Sequence, residues 1–182
     1  MGLSVANRRD TLRWAGYFFL YGAAFHLLLL RWIAHTDYQT PSDKSLIDHP
    51  LVNIGFAVLG GLFVVIRFLP FIRRALGHSQ FKMSQIALPG IACGAFATIA
   101  TFMVFFVCCG IYLALLMSFA VPGVGFLTSF ELAMIDILTY GLGTMLEHGR
   151  FAILNGILLS FGVFWLSRRF GRKDKQYEKL SA

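Results

Sequence analysis

The sequence predicts an all-α, polytopic membrane protein, a four-transmembrane-helix bundle with an interfacial or re-entrant outer helix. Three observations predict it. Of the 182 residues, 57% are hydrophobic and 14% charged, where an ordinary soluble domain is about a quarter charged. The apolar residues fall in runs of about 20 or more, the length a helix needs to cross about 30 Å of hydrocarbon. The Lys and Arg residues gather at the ends of those runs. With 19 Phe and a mean hydropathy of +0.69, the chain cannot be a soluble globular enzyme, a disordered protein or a small disulfide-built domain. It reads as one integral membrane domain covering residues 1–182.

The first span is expected over 14–34, after a basic stretch containing Arg8, Arg9 and Arg13. Trp14 and Trp32 stand at its two ends, where the membrane–water interface favours an aromatic with one polar edge. The run is too long for the core of a signal peptide and lacks a small-residue cleavage site, so it is expected to be retained. A polar, turn-rich segment, 35–50, leads to a second span over 51–72 with Arg67 and Pro70 near its end. Arg67 is expected to reach toward headgroups, its long stem lying in lipid and its charge in water. After a basic linker, Met83 to Phe130 carries no Asp, Glu, Lys, Arg or His. That stretch is longer than one crossing requires, so a span is placed at 86–117 and a break at Pro122, Gly123 and Gly125. The last span is expected over 150–167, and a basic tail over 168–182.

Residues 126–146 decide the topology. Counted as a crossing, they would put the basic tail opposite the basic N-terminus. With four spans instead, all of the 16 Lys and Arg except Arg31, Lys44 and Arg150 share one side. Positive charge collects on the cytoplasmic side, so four spans with both termini inside are expected. Phe126, Leu127, Phe130, Met134, Ile137, Leu138 and Met145 lie on one helical arc. The segment therefore reads as a helix at the outer interface, or one dipping into it. The net charge of +7 is accounted for by this orientation signal, and no nucleic-acid fingerprint accompanies it. The tail also suits anionic lipid at the inner face.

Few residues offer chemistry. Cys93, Cys108 and Cys109 lie within one apolar run and read as small packing residues. His26 is the one ionisable group deep in a span, and Asn155 in the last span is the candidate to meet it as an intramembrane polar pair. Counted from the outer ends, the two lie about 12 and about 8 Å down their helices. On the outer side, His35, Asp37, Glu131, Asp136, Glu147 and His148 are expected to form a polar cluster, with Asp43, Asp48 and His49 nearby. Imidazole and carboxylate could hold zinc, copper or iron there, but the spacings match no ligand motif. No nucleophile elbow or P-loop occurs. Small residues four apart, Ala57/Gly61, Gly90/Gly94/Thr98 and Gly156/Ser160, predict close helix crossings.

The function these features suggest is non-enzymatic: protein–protein binding within a membrane, that of a bacterial cell by default. In size and span number the chain resembles the four-span immunity proteins that protect bacteria from pore-forming bacteriocins. That resemblance implies an inhibitor of a membrane-acting toxin; an accessory subunit of a membrane complex, or a homo-oligomer, fits equally. No cofactor is expected on this reading. The alternative is a haem-, quinone- or metal-associated redox component using His26 or the outer His and carboxylate groups.

Overall fold

The computed structural model describes residues 5–36, 49–77, 82–120 and 125–180. The described residues form four α-helices: α1 (Val5–Thr36), α2 (Pro50–Leu76), α3 (Met83–Ala120) and α4 (Phe126–Leu180). Each holds one stretch long and apolar enough to cross a membrane: Arg8–His35, Pro50–Leu76, Met83–Ala120 and Leu146–Arg169. Lipid offers no hydrogen-bond partner to a peptide group, so a helix, which pairs its own backbone, is the economical way across. The Pro122–Gly123 break expected from the sequence lies outside the described residues.

Local chemistry sets the ends. His49 caps α2: the Leu51 N–H donates to its Nδ1 at 3.3 Å, while Pro50 fills the first turn, where an N–H would go unpaired. Pro70 and Pro89 sit inside α2 and α3 without ending them. The last element differs from expectation. An outer segment at 126–146 and a separate span from 150 are in fact one unbroken helix, Phe126–Leu180. No proline occurs beyond Pro122. The glycines at 141, 143 and 149 each weaken a helix by about 1 kcal/mol but leave its hydrogen-bond ladder whole.

The chain clusters into two units, one of Met1–Thr98 with Phe151–Ala182 and one of Ile99–Arg150. In the first unit, the buried side of α2 runs through Asn53, Phe56, Gly60, Val64, Phe68, Ile72 and Ala75, one residue per turn and therefore one stripe. Phe18 of α1, Phe68 and Ile72 of α2, Ile86 and Ala97 of α3, and Leu159, Val163 and Leu166 of α4 share one apolar core. In the second unit, small residues are buried four apart, Gly110 with Ala114 and Ser129 with Ala133. Phe126 and Leu127, on the large apolar arc of that region, are exposed.

Two close crossings organise the first unit. Between α1 and α2, a Cβ on Gly22 would meet Val64 Cβ at 2.9 Å and Gly61 Cα at 3.1 Å. Between α3 and α4, Gly94 faces Gly156, and a Cβ on Gly156 would meet Ile91 Cα at 2.5 Å. Backbone cannot step aside as a flexible side-chain tip does. Gly156→Val should therefore cost about 1–3 kcal/mol or more, read as a lowered Tm in detergent. Gly16→Ala, where a Cβ meets nothing within 4 Å, should leave Tm unchanged or raise it.

Candidate functional site

His26, Thr98, Asn155 and Ser160 lie at these crossings. A glycine leaves its carbonyl uncovered by any side chain, so a neighbouring donor can reach it. His26 stands one turn beyond Gly22, and its Nδ1 lies 2.7 Å from the Gly22 carbonyl oxygen. That geometry places the proton on Nδ1, which donates, and leaves Nε2 as a bare lone pair. His26 is 0% exposed, and Nε2 is buried with no hydrogen-bond partner. The ring packs against Gly60, where a Cβ would overlap it. Phe25 and Phe56 meet it edge-on, at 5.6 and 6.0 Å between ring centroids.

Asn155 serves the other crossing. Its Nδ2 donates to Thr98 Oγ1 at 3.0 Å and reaches the Gly94 carbonyl oxygen at 3.5 Å. The Thr98 hydroxyl in turn donates to that same carbonyl at 3.1 Å. Asn155 Oδ1 is buried without a partner. One residue away, Gly156 accepts from the Ser160 hydroxyl at 2.7 Å, and Ser160 packs against Gly90.

The expected His26–Asn155 hydrogen bond is thus not formed: Nδ1 is taken by Gly22, while Nε2 and Asn155 Oδ1 both lack partners. Depth along the helices was compatible with a bond, but the glycine carbonyls are nearer acceptors and donors on the same or adjoining helix reach them first. Thr98, Gly94 and Gly60 are the members that sequence reasoning left unassigned to either residue. The four-residue spacing of Gly90, Gly94 and Thr98 was the signal that could have found two of them.

The outer-side residues are only partly among those described. Asp37, Asp43 and Asp48 lie outside the described residues, as does the side chain of Asp136. His35 is exposed at the end of α1; Glu131 and Glu147 are exposed on α4, and His148 is buried. Among the described residues, no group of three or more His, Cys, Asp or Glu could hold a metal ion. Arg67, exposed on α2, makes a contact that the sequence does not specify. Its guanidinium lies 3.7 Å over the Phe96 ring, a cation–π contact whose strength grows as water is removed.

No protein-family model, curated protein or solved structure matches this chain. What the geometry provides is one pair of hydrogen bonds between helices, from Asn155 to Thr98 and Gly94. It also provides one packed crossing, where His26 bonds within its own helix and its ring packs on Gly60. The contact between His26 and Gly60 is testable by size. Gly60→Ala should lower Tm, and adding His26→Ala should restore much of the loss by removing the ring that the new methyl strikes. Purely additive losses, read by thermal unfolding in detergent, would show that the two do not share one packing constraint.

Proposed function

We propose that this chain is a non-enzymatic polytopic membrane protein that acts by binding another protein within the bilayer. It would serve as an accessory subunit of a membrane complex or as an inhibitor of a membrane-acting toxin. The observation that carries this reading is the length of α3. It is a 38-residue helix, Met83–Ala120, with no charged residue, so it extends about 57 Å. The hydrocarbon is about 30 Å thick, and even a tilt of about 40° gives a path of only about 39 Å. Apolar surface therefore remains beyond what lipid can cover. Tyr112, Leu115, Leu116, Met117 and Phe119 in its last turns are exposed, Phe119 by 86%. A protein surface is the cover that relieves this exposure.

Replacing Leu115, Leu116 and Phe119 together by Ser should leave insertion intact. It should abolish a stoichiometric complex, with a partner or a second copy, measured by mass in mild detergent. A wild-type chain that is monomeric and alone under those conditions would count against the reading.

A redox component remains the second reading, because the His26 tautomer presents the lone pair that haem or metal ligation uses. Protein binding is preferred because Gly60, Phe25 and Phe56 already occupy the surroundings of that ring. A Soret band lost in His26→Ala would reverse the preference.

The proposal includes a bacterial inner membrane with both termini cytoplasmic, supported by the one-sided Lys and Arg distribution. Thiol labelling in intact cells should find cysteines introduced at Ser4 and Ser181 equally protected, and one introduced at Ser42 labelled.

A further inference from the structure

Away from the two crossings, a half-open groove of about 170 Å³ lies between α1 and the last span, lined by Tyr17, Phe18, Tyr21, Leu158, Leu159 and Gly162. Tyr21 carries a buried hydroxyl with no hydrogen-bond partner. Next to the groove, toward the helix ends, Trp14 of α1 meets Trp165 of α4 at 5.9 Å and Tyr17 at 5.3 Å. Two arginines, Arg13 and Arg169, stand over this aromatic layer, and Arg168 stacks on the neighbouring Phe164. Arg13 Nε donates to the Tyr17 hydroxyl at 3.3 Å. Arg168 lies 5.2 Å over the Phe164 ring, and Arg169 lies 5.2 Å over Trp165. Neither Arg168 nor Arg169 forms a salt bridge with a carboxylate among the described residues.

The order along the helices is cations, then Trp and Tyr, then an apolar groove. It follows the order of a phospholipid: an anionic headgroup, a polar interface, a hydrocarbon tail. A free anion would use the arginines and leave the groove unused; a neutral lipid would use the groove and leave the charge unanswered. We propose that the groove and Arg13, Arg168 and Arg169 form a site for one anionic phospholipid, its phosphate on the arginines and one acyl chain in the groove. The site is independent of the protein-binding reading, since it uses neither the end of α3 nor residues 126–146.

Gly162 makes the groove and supplies the test. A Cβ there would meet only Phe18, at 3.5 Å, an ordinary contact. Leucine is therefore tolerated by the backbone but fills the space an acyl chain would take. The full chain, purified in mild detergent, is titrated with phosphatidylglycerol or phosphatidylcholine, and bound lipid is read by native mass spectrometry. The wild type should hold one phosphatidylglycerol per chain in preference to phosphatidylcholine. Gly162→Leu should lose that adduct while keeping its lipid-free Tm, or raising it through better helix propensity. Arg168→Gln with Arg169→Gln should weaken phosphatidylglycerol about thirtyfold and leave phosphatidylcholine unchanged. Equal binding of the two lipids by the wild type would overturn the proposal. So would an adduct that survives Gly162→Leu, or a headgroup analogue without acyl chains that competes as well as the intact lipid.

Discussion

How near two helix backbones can approach decides much of this structure. In water, apolar faces are driven together because water excludes them. In lipid that force is absent, and helices associate through close packing and through hydrogen bonds between their polar groups. Gly22 against Gly61, and Gly94 against Gly156, provide the approach. Three of these four, Gly22, Gly94 and Gly156, are therefore both packing surface and openings through which carbonyl oxygens become reachable.

The intramembrane polar residues are explained by that double role. A histidine or asparagine in hydrocarbon is costly unless a donor or acceptor answers it. Gly22 answers His26, and Gly94 answers both Thr98 and Asn155. Each interaction is modest, on the order of 0.6–2 kcal/mol in a membrane. Their positions matter more than their energies. His26 and Thr98 bond within their own helices, but Asn155, held by Thr98 and the Gly94 carbonyl of the facing helix, opposes sliding of the two helices past one another.

Exposed apolar surface carries a different meaning here from the one it has in a soluble protein. Leu20, Leu28, Ile54, Ile66 and Leu88 are each more than half exposed, and acyl chains are a sufficient neighbour for them. The last turns of α3 carry residues of the same chemistry on a helix longer than one crossing requires. Depth, rather than side-chain identity, separates a lipid-facing residue from one that needs protein cover.

Class and span number were legible in the sequence because they depend on sums: about 20 apolar residues in a row satisfy the bilayer whatever their order. The spacing of Gly90, Gly94 and Thr98 was legible as a crossing for the same local reason. Which polar group meets which could not be read, since His26 and Asn155 had comparable depths and the choice lay with carbonyls exposed by glycines on packed helices. Continuity from Phe126 to Leu180 was missed because the division was drawn from the side on which Lys and Arg would collect, whereas only the loss of a backbone hydrogen bond ends a helix. Composition thus determined the solvent, the secondary structure and the number of crossings. Tertiary packing decided that Asn155 meets Thr98 and Gly94 and that His26 lies against Gly60, because hydrogen bonds act over about 3 Å and hydropathy is averaged over a whole helix.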